Sequence, residues 1–378
     1  MIMPVSTKDC FLNRDCIEAP TKNCKSLKLI KTITTAFAQQ IQLMKNTIIV
    51  TLLVSGSIAF GHEGHTHPPA GKVVSSVQKT GNGQFVFETV PGFGAMPKGV
   101  NIGPTHGGVA VDSAGDIYVS TEADHGVVKF AADGSFKKSF GAETKALHSL
   151  ALIKEDEKEV LIGAAVSAQK VLKLDLDGQI LMSIPNKGTG EIKGGFRGVT
   201  GVTVGPKGNF YVVCGYGSNL VHKFDPAGKL LKTAGGRGKA DGQFMTCHGV
   251  TLDTRSGNPL LLICDRENRR LVHFDLDLNF KQVHSRHLRR PCAVSIRGDY
   301  AAVAELEGRV TIVGKNGAHL AFLGDQPDHS LWAKKPVPAE KLYDGLFTAP
   351  HGLSWDKDGN IIVQDWNVTG RVTKLQQQ

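Results

Sequence analysis

The sequence predicts an all-β protein, a six-bladed β-propeller with four strands in each blade. Two observations support this prediction. Glycine is abundant, at 44 of 378 residues, and few stretches show the periodicity of a helix, so short strands joined by tight turns are expected. In addition, a unit of about 40–50 residues recurs six times, which is typical of blades that surround a central channel.

The repeated unit is clearest at residues 106–140. It reads as a strand, an Asp/Gly turn, a second strand, a polar loop, a third strand, an Asp-Gly turn and a fourth strand. The fifth copy carries a long insertion at residues 325–348, and the sixth copy ends after three strands. The six copies begin at or near His106, His148, Gly198, Cys247, Pro291 and Pro350.

A single strand at residues 84–90 precedes the first copy and predicts how the ring closes. Because the sixth copy lacks a fourth strand, we expect this N-terminal strand to join the last blade. Joining the two chain ends in one sheet hides the sheet edges. An open stack of β-sandwiches is the alternative, and six copies with a shared last blade favour the closed propeller over residues 84–378.

The residues before the propeller are predicted to be segments of another kind. Residues 44–61 combine a charged start, a short apolar core and small residues suited to cleavage, as in a secretory signal peptide. Residues 1–43 are then a disordered upstream extension, and residues 62–83 are a flexible, His-rich tail with weak metal affinity. We expect export to the periplasm or the extracellular space, without a stable membrane span after cleavage; an uncleaved anchor is the alternative.

Charge and cysteine content limit the classes of partner and the state of the thiols. The net charge is +9, yet the propeller has no basic block with interleaved aromatic residues, so nucleic-acid binding is not expected. We expect a monomer. The propeller has four cysteines, which an oxidising compartment would allow to form two disulfides in three connectivities, or which are buried free thiols. These cysteines are Cys214, Cys247, Cys264 and Cys292, of which Cys247 and Cys264 lie on neighbouring strands and could pair.

Four histidines begin the first strand of a blade, where side chains line the channel near one mouth. Three of them, His148, His248 and His351, are separated by 100 and 103 residues, which is two blades in each case. Alternate blades of a six-bladed ring give near three-fold symmetry, so these imidazoles predict a metal site with an open fourth position, as in a catalytic zinc site. The fourth, His106, breaks the symmetry and is expected to line the channel beside the metal, where it could contact a bound anion.

Further motifs resemble a known family. Residues 235–238 (Gly-Gly-Arg-Gly), residues 241–244 (Asp-Gly-Gln-Phe) and the His-Gly-Val that follows resemble NHL-repeat propellers. More narrowly, the chain resembles the peptidyl-α-hydroxyglycine α-amidating lyases (peptidylamidoglycolate lyases). That resemblance implies a zinc held by His148, His248 and His351, and cleavage of a peptidyl-α-hydroxyglycine to a peptide amide and glyoxylate.

The resemblance also implies two catalytic residues. Residues 265–270 match the Asp-Arg-Glu-Asn-Gly-Arg loop of the family except at its Gly, so Arg266 would hold the substrate carboxylate. Tyr216 lies where the family has a tyrosine proposed as a base. The alternatives from the residues alone are that Arg266 forms an ordinary surface salt bridge and that Tyr216 covers the end of a blade.

Three positions depart from the family pattern. The first-blade loop at residues 120–125 lacks the second catalytic arginine, Ala349 replaces a methionine, and Gly352 replaces an acidic calcium ligand, which argues against a structural calcium. Two functions therefore remain open. The first is an exported zinc-dependent lyase acting on a small peptide-like substrate. The second is a non-enzymatic NHL-type propeller that binds a peptide or a glycan.

Overall fold

A computed structural model describes residues 77–185, 192 and 195–378. These residues form six antiparallel sheets and three short 3-10 helices, at Ala142–Thr144, His329–Leu331 and Ala339–Lys341. The first strands of successive blades contact one another, and that of the sixth blade contacts that of the first. The prediction of an all-β, six-bladed propeller is therefore confirmed.

The strands follow one another around the ring in chain order. Two N-terminal strands, β1 (Lys79–Asn82) and β2 (Phe85–Thr89), precede the first complete blade. The first three blades contain β3 (Thr105–Val111), β4 (Ile117–Thr121), β5 (Val127–Phe130), β6 (Phe136–Ser139), β7 (Leu147–Glu155), β8 (Lys158–Ala165), β9 (Lys170–Leu174), β10 (Ile180–Ile184), β11 (Gly201–Val204), β12 (Phe210–Cys214), β13 (Leu220–Phe224) and β14 (Leu230–Gly235). The last three contain β15 (Cys247–Asp253), β16 (Leu260–Asp265), β17 (Arg270–Phe274), β18 (Phe280–Arg286), β19 (Pro291–Arg297), β20 (Tyr300–Glu305), β21 (Arg309–Gly314), β22 (His319–Leu323), β23 (Pro350–Trp355), β24 (Ile361–Asp365) and β25 (Arg371–Gln377).

The sixth blade unites the two ends of the described chain. Its strand order is β1-β2-β25-β24-β23, and β2 pairs with β25 in a register that sets Phe87 opposite Gln377. This sheet has five strands rather than four, because β1 adds to the outer edge by pairing with β2. The sheet thus begins at Lys79, inside the segment 62–83 that the sequence predicted to be a flexible tail. The short β-hairpin of β1 and β2 orders those last residues.

The core lies between neighbouring blades. Middle strands such as β4 and β12 are buried along their whole length, because both faces of each sheet pack against an adjacent sheet. Between blades 5 and 6, for example, Phe87 and Phe347 are almost completely buried among smaller aliphatic side chains. The core therefore forms a series of layers around the axis, which holds the inner strands at fixed positions.

Buried ion pairs recur at the same place in three blades. Asp265 pairs with Arg270 at 2.7 Å, and the corresponding pairs are Glu305 with Arg309 at 3.1 Å and Asp365 with Arg371 at 3.0 Å. Each carboxylate ends the second strand of its blade and is fully buried. Each carboxylate also accepts a hydrogen bond from a backbone N–H group in the loop that leads into the first strand of the same blade. These pairs fix the loops at one mouth of the channel.

Two other predictions concern thiols and membranes. Cys214, Cys247, Cys264 and Cys292 are all buried and free, so the possible pairing of Cys247 with Cys264 is absent. No helix in the described ranges is long and apolar enough to cross a bilayer. The predicted extension (1–43), signal peptide (44–61) and most of the tail lie outside the described residues.

Candidate metal centre and active site

Six residues occupy equivalent positions at the start of the innermost strands. Five of these strands show a shift of register at that point, as a β-bulge does. A bulge re-aims a side chain out of the normal alternation, and here it accounts for side chains of different blades meeting on the axis. We call these six places the ring positions and their four histidines the ring histidines. The six residues are His106, His148, Thr200, His248, Cys292 and His351.

Glycine follows three of the four ring histidines for a steric reason. A Cβ at Gly249 or Gly352 would collide with a backbone carbonyl oxygen of the neighbouring inner strand, that of Cys292 or Gly107 respectively. Close approach of the inner strands therefore requires glycine there. It also leaves no space at Gly352 for the acidic side chain of the family's calcium site.

His148, His248 and His351 are brought together on the axis. Their ring centroids are separated by 4.6 Å between His148 and His248 and by 4.7 Å from each of these to His351. All three are buried, with exposed fractions of 3% or less. Burial, reinforced by neighbouring cationic groups, lowers their pKa values well below 6.5, so the rings are neutral and able to bind a metal at pH 7.

Backbone carbonyls orient two of these rings. The Nδ1 of His148 lies 2.7 Å from the carbonyl oxygen of Thr200, and the Nδ1 of His248 lies 2.9 Å from that of Cys292. Since a carbonyl only accepts, each Nδ1 carries the proton of the neutral ring, and each Nε2 presents a lone pair to the centre. Metal-binding histidines are commonly held in this way.

His351 differs from the other two rings because neither of its nitrogens has a hydrogen-bond partner among the described residues, although the side chain is 2% exposed. Buried polar atoms are almost always partnered, so this ring has capacity for a further ligand. Three neutral imidazoles with an orphaned ring nitrogen fit a divalent metal of the zinc type. Two sets of three residues each bring their donor atoms within 4.8 Å of one another: His106, His148 and His351, and His248, Cys292 and His351. His351 belongs to both sets, whereas the predicted ligands His148 and His248 fall in different ones.

His106 is closer to the centre than its predicted place beside the site suggests. Its ring lies 4.9 Å from that of His148 and 4.5 Å from that of His351. The Nδ1 is 2.9 Å from a carboxylate oxygen of Glu122, whose other oxygen accepts from Lys335 at 2.9 Å. The hydrogen bond with His106, aided by Lys335 against the effect of burial, lowers the pKa of Glu122 to about 2. His106 is thus a fixed member of the cluster.

Tyr216 lies over the same cluster. Its hydroxyl is 3.0 Å from the Nε2 of both His148 and His248, and 3.5 Å from the Nε2 of His106. Burial raises the pKa of Tyr216 to about 12, against the opposing effect of the Arg266 charge. Tyr216 as a whole residue is 40% exposed while its hydroxyl faces the histidines, so it lies between them and solvent at the mouth. It does more than cover the end of a blade.

Arg266 faces the mouth of the channel and is not an exposed surface residue. Its side chain is 12% exposed, its Nη1 lies 3.3 Å from the hydroxyl of Tyr216, and its guanidinium lies 5.4 Å from the centre of that ring. Glu267 accepts from both Arg266 and Arg290. Within the loop 265–270, Asp265 and Arg270 pair with each other. Arg266 takes no part in that pair and lies beside Tyr216.

The structure adds three polar residues that the sequence interpretation did not place in the site. Cys292 has the ring position in blade 5, which the match of Pro291-Cys292 with Pro350-His351 could have indicated. Glu122 is in the loop noted only for its missing arginine. Lys335 comes from the insertion of blade 5 and lies 5.2 Å from the centre of the Trp366 ring. Nothing in the repeat pattern predicts where an insertion folds.

A cavity of about 80 Å³ lies along the axis next to the histidines. Inner-strand residues of the blades line it, including Gly108, Ser149, Gly249 and Ala293. Small side chains keep this space open. Its size suits a few water molecules or a small group, so a larger ligand would approach the histidines from the mouth at Tyr216 and Arg266.

Comparison with known proteins agrees with the fold. The sequence matches no protein-family model, and no curated protein matches it. Solved structures with a similar fold include a gluconolactonase from Xanthomonas campestris (TM-score 0.54, 12% identity, 82% of this chain and 99% of that chain). Others are a putative gluconolactonase (TM-score 0.51, 12% identity, 75% and 94%) and a streptogramin B lyase (TM-score 0.49, 13% identity, 80% and 98%). At these identities the likeness shows the propeller fold alone.

Proposed function

We propose that this chain is an exported, zinc-dependent lyase that cleaves a peptidyl-α-hydroxyglycine to a peptide amide and glyoxylate. His148, His248 and His351 would hold the zinc. The observation that carries the proposal is the position of the Tyr216 hydroxyl, 3.0 Å from the Nε2 atoms of His148 and His248 and 3.3 Å from Arg266. A proton acceptor, a carboxylate clamp and metal ligands thereby share one small volume.

The residues have separable roles in this reaction. Zinc at the histidines would polarise the substrate hydroxyl and lower its pKa. Arg266 binds the carboxylate of the hydroxyglycine, which orients the hydroxyl toward Tyr216. The positive charges of Arg266 and a bound zinc would offset the effect of burial on the pKa of Tyr216 and favour its phenolate. This phenolate takes the hydroxyl proton as the carbon–oxygen double bond of glyoxylate forms. The carbon–nitrogen bond breaks at the same carbon, and the amide nitrogen receives a proton from Tyr216, so that protons and electrons balance.

Release of glyoxylate from an N-acyl-α-hydroxyglycine tests the proposal, with the full-length protein under zinc-replete conditions. We expect wild-type turnover and a loss of about 100-fold or more in Tyr216→Phe, because general acid–base groups contribute at least this much. We expect a loss of about 100-fold in Arg266→Ala as well, because a substrate without its carboxylate clamp is misplaced. Tyr300→Phe is the matched control, since Tyr300 lies in the pair β19–β20 and packs on Phe85, away from the histidines. No release by wild-type protein would contradict the proposal.

A second candidate is a non-enzymatic propeller that binds a peptide or a glycan at this mouth. Glu122 favours it, because a carboxylate lies in the loop where the lyase family has a substrate-binding arginine, and Glu122 is already paired with His106 and Lys335. This candidate predicts ligand binding without glyoxylate release. In both cases we propose a monomer without nucleic-acid partners or a membrane span in the exported form.

A further inference from the structure

The ring position in blade 5 is held by a cysteine instead of a histidine. Cys292 is 1% exposed, and its sulfur lies within 4.8 Å of ligand atoms of His248 and His351. In the described part of the chain, Cys292 is the one cysteine that belongs to a group of candidate metal ligands. Its placement follows from the bulge that begins β19, as for the histidines of the other blades.

The Cys292 thiol has two polar neighbours within the protein. It makes a long contact of 3.7 Å to the carbonyl oxygen of Arg290, and the guanidinium of Arg266 lies beside it. On its apolar side it packs with Leu306 and Ala349. The backbone carbonyl of Cys292, by contrast, accepts from His248 at 2.9 Å and so fixes the ring that shares its group. Cys292 therefore orients the imidazole of His248 through its carbonyl and offers its own thiol as a further donor.

His351 supplies the independent observation. Both of its ring nitrogens are without partners in the described residues at 2% exposure, and it is the member common to both candidate groups. An imidazole with unpartnered nitrogens, a buried thiol and an oriented second imidazole together form a donor set that suits a metal ion. Sulfur and nitrogen donors select zinc and other borderline or soft metals over magnesium and calcium.

We infer that Cys292 is a direct metal ligand, binding as the thiolate together with His248 and His351. The inference rests on the metal-binding part of the proposed function but is independent of the lyase reaction. Binding replaces the thiol proton, which is released to solvent. The consequence is a mixed sulfur and nitrogen site, in which the Cys292 sulfur is added to the histidine ligands that the sequence predicted.

Cobalt(II) is a suitable probe, because a thiolate bound to it gives a charge-transfer absorption that imidazole ligands do not give. The experiment uses full-length protein, with His62, His65 and His67 changed to alanine to remove competing binding by the tail. After chelation, Co(II) is added and the charge-transfer and d–d bands are recorded. We expect both bands in this background, loss of the charge-transfer band in Cys292→Ala, and its retention in Cys214→Ala, a buried cysteine outside both candidate groups.

A variant that is expected to keep the metal distinguishes loss of the sulfur ligand from loss of the fold. Cys292→His gives blade 5 the residue type of four of the other five ring positions, and we expect d–d bands without the charge-transfer band. Charge transfer that persists in Cys292→Ala, or d–d bands alone in the parent protein, would overturn the assignment of Cys292 and leave the metal site of histidines intact. Absence of all Co(II) bands would overturn the metal part of both proposals. The lyase reaction itself is tested independently, by glyoxylate release.

Discussion

Among the described residues, buried histidines lie in two kinds of surroundings. Ring histidines meet on the axis, whereas His222, His273 and His284 lie in the third or fourth strand of blade 3 or 4. Burial lowers the pKa of His222 to about 4, and its Nδ1 is 2.9 Å from the hydroxyl of Thr233. The neutral form is therefore the one that the folded state accepts.

The lowered pKa of His222 predicts that the stability of the protein depends on pH. Because its pKa is lowered from 6.5 to about 4 on folding, its contribution is complete above about pH 6.5 and is lost as the pH falls toward 4. Each unit of pKa is worth about 1.4 kcal/mol, so the loss is up to about 3 kcal/mol. His222→Gln keeps a polar partner for Thr233 but cannot titrate. We expect its unfolding free energy, measured in urea, to fall less steeply over this range.

His284 provides a comparison within the same experiment. Burial also lowers its pKa to about 4, so His222→Gln should remove only part of the dependence on pH. Equal slopes for the wild-type protein and His222→Gln between pH 6.5 and 4 would contradict the assignment.

At the residue scale, spacing alone was enough to find the histidines. Equivalent positions two blades apart must lie symmetrically about the axis, so the intervals between His148, His248 and His351 carried spatial information. The positions of Glu122 and Lys335 in the site could not be predicted from the spacing of the repeats. Each depends on a loop or insertion whose path is set by contacts with other blades, and no repeat specifies those contacts.

Individual strands are anchored to the mouth by the buried ion pairs. Asp365, at the end of β24, accepts from the backbone N–H groups of Thr348 and Ala349 and pairs with Arg371 at 3.0 Å. Residues 348 and 349 lead directly into His351. The pair therefore connects the second and third strands of blade 6 to the position of a ring histidine.

Removal of this carboxylate should be costly. Asp365→Ala leaves the Arg371 guanidinium, whose side chain is 10% exposed, without its ion pair, and we expect a loss of about 3–5 kcal/mol in the free energy of unfolding. The matched control is Asp177→Ala, which breaks an exposed pair with Lys138 and should cost less than about 1 kcal/mol. Urea denaturation followed by tryptophan fluorescence measures both. Similar small losses would show that the buried pair does not anchor the strand.

The repeated strands of each blade could be predicted from the sequence, but not every strand of the fold. Alternating apolar residues and Asp/Gly turns fixed four strands per blade, because both features are local. The additional strand β1 was missed, since Lys79–Asn82 is mostly exposed and has no apolar pattern of its own. It exists through its pairing with β2, which is a tertiary effect.

The whole ring depends on a contact between distant parts of the sequence. Strand β2 pairs with β25, and Phe85 and Phe87 join the apolar cluster between blades 5 and 6. The N-terminal strand thereby covers an edge that would otherwise be exposed on the last blade.

Loss of the Phe87 ring tests this arrangement. Phe87 is fully buried, so Phe87→Ala should lower the free energy of unfolding by about 3–5 kcal/mol. Phe322, on the edge strand β22, is 41% exposed, and Phe322→Ala should cost about 1 kcal/mol or less. Thermal and urea unfolding of both variants measure the difference. An equally small effect of the two substitutions would argue that β2 contributes little to the stability of the ring.

The fold delivers histidines from several blades to one point, and the central claim is that they hold a metal. The most direct test is the metal content of full-length protein purified without added metal, with His62, His65 and His67 replaced by alanine. We predict about one equivalent of zinc per chain. We also predict its loss in His351→Ala, while His319→Ala, a change on the outer strand β22, retains it. Protein without stoichiometric metal, or metal content unchanged in His351→Ala, would contradict the claim.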